Sequence, residues 1–220
     1  MLKSILVLGG ALALLEGAPV GAASFGGVDF PDGAFSFADE VVLYDPLFDG
    51  GPQPSDAAAR DAAEALGIPD YTSGPGTDYV SLGDGGRLVL RFTNNSLTGS
   101  GDNALDLWIF EVGPDVEDTF VEISKNGSEW FSVGKVFGSQ SGIDIDAFGF
   151  GTTDFFSFVR LTDDTTEGQQ VGGTVGADID AVGAISSAAA VNPVPEPSTL
   201  LLLGMGVVGL ALGRRLRGAA

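Results

Sequence analysis

Alternating hydrophobic and polar positions dominate the middle of the chain and predict β-strands. In the run Arg87–Thr93, the side chains of Leu88, Leu90 and Phe92 share one face, because successive side chains of a strand point to opposite faces. Similar runs, mostly rich in β-branched or aromatic residues, recur between stretches rich in Gly and Asp. The predicted strands are Glu40–Tyr44, Arg87–Thr93, Ala104–Val112, Thr119–Ser124, Trp130–Val136, Phe155–Leu161 and Ile179–Ile185.

Two local signals refine this pattern. Asn126 and Gly127 lie between two of the runs and predict a β-hairpin with a type I′ turn, which needs positive φ at both central residues. The segment Asp56–Leu66 predicts one short helix, with Ser55 as N-cap and Gly67 as C-cap. Many strands with a single helix predict an all-β fold, an antiparallel β-sandwich of jelly-roll type, with a closed barrel as the alternative.

Hydrophobic segments at both ends predict two further helices outside the sandwich. At the N-terminus, Lys3 precedes the apolar run Ile5–Leu15, and small residues follow at 20–23. Glu16 interrupts the apolar run too soon for a membrane span, so the pattern is typical of a secretory signal peptide, residues 1–23. A buried N-terminal helix is the alternative.

The second apolar segment, Thr199–Gly213, lies near the C-terminus. Fifteen helical residues extend about 22 Å at 1.5 Å per residue, against a bilayer hydrocarbon core of about 30 Å. The prolines that precede the segment cannot lie in a helix interior, so the helix begins after them. The arginines that follow it favour retention of the C-terminal end on the cytoplasmic side of the membrane. The flanking residues are Val194, Pro195, Glu196, Pro197 and Ser198 before the segment, and Arg214, Arg215 and Arg217 after it.

This order of motif, apolar stretch and arginine cluster resembles the PEP-CTERM sorting signal of Gram-negative bacteria. In that family an exosortase, a transpeptidase-like membrane protease, recognises the Pro-Glu-Pro motif. The resemblance implies a transient inner-membrane anchor, removed as the protein passes to the cell surface or an extracellular matrix. A permanent single-pass anchor is the alternative. The expected organisation is therefore a signal peptide at 1–23, a β-sandwich domain at 24–190 and a sorting signal at 191–220.

Charge and composition narrow the chemistry of the central domain. The chain has 30 acidic and 10 basic residues, a net charge of −20, and neither cysteine nor histidine. Such an acidic protein is a poor partner for nucleic acid. It also lacks the residues for a Ser-His-Asp triad, a thiolate or imidazole zinc site, or a disulfide. Carboxylates, hydroxyls and backbone carbonyls remain, and these are the ligands of hard cations.

Two acidic pairs are candidate cation ligands. The alternation of a strand would put Asp178 and Asp180 on one side of it, and likewise Asp144 and Asp146. Like charges this close raise each other's pKa unless a cation or donor lies between them. Two interpretations are open. A solvated acidic edge that limits aggregation is favoured, because the sequence has no EF-hand loop or nonapeptide repeat. The other is a structural Ca²⁺ site, with the Asp178–Asp180 pair as the first candidate and no other cofactor.

A pattern of short segments recurs through the central domain: Ala65–Gly67, Ser81–Gly83, Leu88–Phe92, Ile109–Gly113, Val121–Ser124 with Gly127 and Trp130, Phe158–Asp163 and Gly176–Ile185. This pattern resembles, more loosely, the galactose-binding-type jelly rolls of exported bacterial surface proteins. The resemblance implies a fold that often binds carbohydrate and sometimes calcium. Trp130, after the predicted hairpin, is the candidate for stacking on a sugar, although core packing is favoured for it, and Trp108 is expected in the core.

Taken together, the sequence predicts an exported, non-enzymatic cell-surface or extracellular-matrix protein with a structural, adhesive or binding role. Its expected partners are an exosortase-type protease, the inner membrane during sorting, and extracellular polysaccharide. A carbohydrate-binding module is the first alternative. The second is a secreted hydrolase that uses paired carboxylates. The candidates for that chemistry are Glu111, Asp144, Asp146, Asp178 and Asp180.

Overall fold

The computed structural model describes residues 21–72, 78–113, 116–138, 141–168 and 171–191. Residues 1–20 of the predicted signal peptide, 1–23, lie outside the described residues. The motif at 194–198, the apolar segment 199–213 and the arginines at 214–217 lie outside them as well. Within the described ranges, no helix is long and apolar enough to cross a membrane.

Thirteen strands form in the described part of the chain, and all of their pairings are antiparallel. The seven predicted strands are all present, with ends shifted by up to three residues. The strands are β1 Ala23–Phe25, β2 Val28–Phe30, β3 Glu40–Asp45, β4 Val80–Ser81, β5 Arg87–Arg91, β6 Asn95–Leu97, β7 Leu107–Glu111, β8 Val116–Ser124, β9 Phe131–Gly138, β10 Gly142–Ile143, β11 Phe158–Asp163, β12 Asp178–Ala184 and β13 Ser187–Ala189.

Two larger sheets share one hydrophobic core, as in a β-sandwich. One sheet has the order β3-β5-β11-β8-β9, the other β10-β7-β12-β4, and β1-β2 and β13-β6 form two small ribbons. The burial of β11 alternates along its length, with every second residue buried. The aliphatic residues of both sheets meet in a single cluster, which includes Leu88, Leu90, Val121, Ile123, Val159 and Leu161 from the first sheet and Leu107, Ile109, Ile179 and Val182 from the second.

A second, aromatic cluster packs against β7 and β12. Phe30 and Phe37 are buried there and lie 4.7 Å apart between ring centroids. Trp108 and Phe110 lie on the same face of β7, as predicted, but they pack in this second cluster and not in the main core. Gly183 lies directly beneath, where an added Cβ would come within 2.6 Å of Phe30. The ribbon β1-β2 that brings in the first of these rings was not identified from the sequence.

The prediction of one helix over Asp56–Leu66 is wrong. The segment instead forms two short 3-10 helices, Ala58–Arg60 and Ala62–Ala65. Asp61 separates them in an extended conformation, with φ −84° and ψ 102°, and its carboxylate accepts a hydrogen bond from the Ala63 amide at 3.1 Å. Aspartate favours such local bonds over a helix interior, so this residue caps a new helix and ends the previous one. Ser55 is not the N-cap, because its hydroxyl donates to the Gly172 carbonyl.

The hairpin at Asn126 is present, but its predicted turn type is wrong. Strands β8 and β9 pair with Ile123 opposite Phe131, so the loop is longer than two residues. No non-glycine residue in the described ranges has positive φ, which excludes a type I′ turn here. The Asn126 side-chain oxygen instead accepts hydrogen bonds from the amides of Ser128 and Glu129, at 2.9 and 3.0 Å.

A turn beside β5 depends on glycine for its close approach to Pro46. Gly83 has φ +88°, and a Cβ there would lie far inside the van der Waals contact distance of the Pro46 carbonyl oxygen. Gly50 has nearly the same φ, +83°, but an added Cβ would meet no atom within 4 Å. The two glycines therefore share a left-handed backbone conformation and differ in the space available to a side chain.

We expect Gly83→Ala to lower the free energy of unfolding clearly more than Gly50→Ala does. A left-handed alanine costs about 1–2 kcal/mol at either position, and only Gly83→Ala also forces the Pro46 backbone to move. Urea unfolding of both variants, compared with the unsubstituted chain, measures the difference. Equal losses would show that the approach to Pro46 carries no energetic constraint.

Candidate functional site

A cavity of about 310 Å³ opens where β7 ends and where β8 and β12 begin. We call it the acidic cavity, because four of the ten residues that line it are carboxylates. Ile179 pairs with Glu111 across the two sheet strands, which brings the carboxylates of neighbouring strands together. The lining residues are Glu111, Val112, Gly113, Val116, Glu117, Glu167, Gly168, Thr174, Gly176 and Asp178.

Burial raises the pKa values of two carboxyl groups that line the acidic cavity. Desolvation raises the pKa of Glu111 to about 8, and the charges of Glu117 and Asp178 contribute to the rise. Its Oε2 is buried and has no hydrogen-bond partner in the part of the chain that the structure describes. Desolvation also raises the pKa of Asp178 to about 6, although the Ser81 hydroxyl donates a hydrogen bond that opposes the shift. At neutral pH the cavity therefore contains one protonated carboxylic acid beside a mostly ionised carboxylate.

Asp178 and Asp180 lie in different environments. Asp178 lines the acidic cavity, whereas Asp180 accepts a hydrogen bond from the Asp70 amide at 3.2 Å and has its own pKa raised to about 6 by burial. The pairing of β12 with β7 shifts register between Ile179 and Ala181, so Asp180 has no partner in the β7 register. The prediction that Asp178 and Asp180 lie on one side of the strand assumed regular alternation of side chains. A bulge of this kind interrupts that alternation.

Asp144 and Asp146 do come together, and a third carboxylate joins them. One side-chain oxygen each from Asp106, Asp144 and Asp146 lies within 4.8 Å of the other two. Asp144 and Asp146 follow β10, where Asp146 begins the 3-10 helix Asp146–Phe148, so the two are not on a strand as predicted. We call this group the aspartate cluster. Among the described residues it is the one group of three carboxylates with this spacing.

Asp106 was not identified from the sequence as a candidate ligand. This residue directly precedes β7 and is completely buried, and its Oδ2 accepts a hydrogen bond from the Ile145 amide at 2.9 Å. Burial raises its pKa, while the hydroxyls of Ser186 and Ser100 and the Ile145 amide lower it in part. The available signal was a lone aspartate at the start of an otherwise apolar strand, because charged residues are rarely buried without a specific partner.

Trp130 is half-buried just before β9. The Arg160 guanidinium carbon lies 4.2 Å from the centre of its ring, and the same arginine donates a hydrogen bond to Glu122 at 2.6 Å. This cation–π contact occupies one face of the indole. A sugar that stacked on Trp130 would need the other face.

Stability is expected to fall as pH rises from 5 to 8 in the presence of a chelator. The folded-state pKa values of Glu111 and Asp178 lie above their ordinary values of 4.5 and 3.8, so the folded state binds these protons more tightly than the unfolded state. The resulting penalty is absent below about pH 4 and is complete only above about pH 8. Thermal melts across this range measure the effect.

The matched variant for this test is Glu111→Gln, which cannot ionise and should flatten the part of the curve between pH 6 and 8. Glu129→Gln, at an exposed position, should leave the curve unchanged. A melting temperature that rises from pH 5 to pH 8 would contradict the raised pKa values.

The C-terminal segment matches a known family. The family model of the PEP-CTERM protein-sorting motif matches residues 193–217, which contain the predicted motif, the apolar segment and the arginines. No curated protein is similar enough to the chain to count as a relative. The match implies export and processing by exosortase, a membrane protein. By this match, the chain carries a PEP-CTERM protein-sorting signal over residues 193–217.

Proposed function

We propose that the mature protein is a non-enzymatic component of the cell surface or the extracellular matrix, with a structural, adhesive or binding role. The observation that carries this proposal is the sorting motif at residues 193–217. It follows a β-rich domain with an extensive hydrophobic core, which suits a domain that persists after the terminal segments are removed. Cleavage after residue 23 and at the Pro-Glu-Pro motif would release this domain outside the inner membrane.

The charge distribution supports a role in which cations bridge this acidic domain to an anionic surface. Two acidic and four basic residues lie in the terminal segments, so residues 24–194 carry 28 acidic and 6 basic side chains. Most of those basic side chains are engaged within the domain: Arg91 binds Glu40, Lys125 binds Asp154, Lys135 binds Asp118 and Arg160 binds Glu122. Carboxylates thus dominate the charge available to partners, and extracellular polysaccharide is the partner we propose.

Replacing Pro195, Glu196 and Pro197 together with alanine should block processing. The unprocessed chain would keep its apolar segment, so we expect it to accumulate in the membrane fraction of the native host. Immunoblots of membrane, surface and medium fractions measure its distribution, and mass spectrometry of the mature protein locates both cleavage sites.

The control for this experiment is Glu129→Ala, an exposed change far from the motif in sequence. It should be processed and localised like the unsubstituted protein. Release of the triple variant at the normal length would overturn the processing part of the proposal. Recovery of the intact chain from the cytosol would overturn export as well.

A secreted hydrolase is the second candidate, and one observation favours it. Glu111, with a pKa of about 8, and Asp178, with a pKa of about 6, line the same cavity. Two carboxyl groups whose surroundings set their pKa values apart are the arrangement used by acid–base hydrolases. Glu111 would donate a proton to the leaving group, and Asp178 would act as base or nucleophile.

Glu111→Gln should then lower turnover by about 10²-fold or more, the usual contribution of general acid catalysis. Hydrolysis of a panel of nitrophenyl glycosides and esters, followed by absorbance, is the measurement, with Glu129→Gln as the control. Absence of turnover by the unsubstituted protein on the whole panel would count against the hydrolase and favour the non-enzymatic role.

A further inference from the structure

We propose that the aspartate cluster of Asp106, Asp144 and Asp146 binds a calcium ion. Calcium takes six to eight oxygen ligands at 2.3–2.6 Å, so two ligands of one ion lie at most about 5 Å apart. The oxygens of the three aspartates lie within 4.8 Å of one another and meet this limit. This site is independent of the sorting signal, and its residues differ from those of the acidic cavity.

An unsatisfied oxygen in Asp106 is the second observation. The side chain is completely buried, and its Oδ1 has no hydrogen-bond partner among the described residues. A buried polar atom without a partner is costly, and a buried negative charge is more so. Since the other members of the cluster are also carboxylates, they cannot donate a hydrogen bond while ionised. A bound cation would satisfy this oxygen.

Amides hold one oxygen of each carboxylate through hydrogen bonds, and the hydroxyls of Ser100 and Ser186 also act on Asp106. The Ile145 amide binds Asp106 Oδ2 at 2.9 Å, and the Ala147 amide binds Asp144 Oδ1 at 3.3 Å. The Gly101 amide binds Asp146 Oδ2 at 3.1 Å, with the Ser100 hydroxyl at 3.3 Å. Carboxylates fixed in this way are preorganised ligands, which reduces the entropy lost on binding.

No basic side chain of the described ranges forms an ion pair with the cluster. None of the ion pairs in the described ranges includes Asp106, Asp144 or Asp146. Lys135 lines a cavity beside Asp144, but its ammonium binds Asp118 and also lies 3.4 Å from Asp164. Three carboxylates with only oxygen atoms to offer favour a hard divalent ion. Ligands that come from two separate loops suit calcium, which accepts flexible geometry, better than magnesium, which demands near-ideal octahedral geometry.

Calcium titration of the full chain in mild detergent, after treatment with EDTA and removal of the chelator, tests the proposal. We expect isothermal titration calorimetry with CaCl₂ to show one site, with a Kd of about 10⁻⁴–10⁻³ M or tighter, as in extracellular calcium modules. The melting temperature should rise with CaCl₂ and return to its starting value with EDTA, because an ion that binds only the folded state stabilises it. MgCl₂ should bind more weakly.

Asp106→Asn and Asp144→Asn should each weaken calcium binding at least about tenfold, because each removes one of three charged ligands. The amide oxygen introduced by Asp106→Asn can still accept the hydrogen bond from the Ile145 amide, and Asp144 is only half-buried, so both variants should fold. Far-ultraviolet circular dichroism checks that they do. Asp29→Asn, an exposed change in β2, is the matched control and should bind like the unsubstituted chain.

Asp178→Asn distinguishes this site from the pair first expected from the sequence. It should leave calcium binding unchanged. Calcium binding that is lost in Asp178→Asn but retained in Asp106→Asn would overturn the proposal and move the ion to the acidic cavity. Absence of both binding heat and a melting shift in the unsubstituted chain would overturn it outright, and equal affinity for magnesium would overturn the choice of calcium.

Discussion

The structure depends on the packing of two sheets through one layer of aliphatic side chains. Leu88 and Leu90 of one sheet and Leu107 and Ile109 of the other belong to the same fully buried cluster. No disulfide reinforces it, since the chain has no cysteine. Burial of apolar area, worth about 25 cal/mol per Å², is therefore the main favourable term of folding. The loops that carry polar groups are fixed by their attachment to this layer.

This attachment explains how a strongly acidic domain can bury carboxylates. Asp163 at the end of β11 is buried, and its two oxygens accept hydrogen bonds from the Gly85 and Ala177 amides, at 3.0 and 2.9 Å. Burial still raises its pKa to about 6, so the hydrogen bonds only partly offset desolvation. With so few basic residues available, backbone amides provide most of this compensation. Where amides are lacking, as at Asp106 Oδ1 and Glu111 Oε2, an unsatisfied oxygen remains.

The sequence predicted the strands well because their pattern is set locally, by alternation along a single extended segment. The same reasoning failed where a side chain competes with the backbone. Asp61 interrupts the predicted helix and Asn126 replaces the predicted turn, in both cases by accepting hydrogen bonds from nearby amides. Propensity describes an average environment, and such local bonds override it. The aromatic cluster was missed because the strands β1 and β2 have only three residues each, too short for a periodic signal.

At the candidate sites, too, the sequence predicted what is local and missed what depends on contacts between distant segments. The sequence could place Asp144 near Asp146, because they are neighbours, but not Asp106, which is 38 residues before Asp144. That contact arises because Gly142 and Ile143 of β10 pair with Trp108 and Leu107, which puts the residues beyond the paired ends side by side. Conversely, the register shift in β12 interrupts the regular alternation from which Asp178 and Asp180 were predicted to lie on one side of the strand.

Sheet pairing, and not spacing along the chain, therefore decides which carboxylates meet. It also decides which buried carboxylate oxygens lack a hydrogen-bond partner among the described residues. Each oxygen of Asp163 accepts a hydrogen bond from an amide, whereas Asp106 Oδ1 has no such partner. The calcium ion that we propose would supply a partner for Asp106 Oδ1 after export, and the burial of this carboxylate would then carry a smaller energetic penalty.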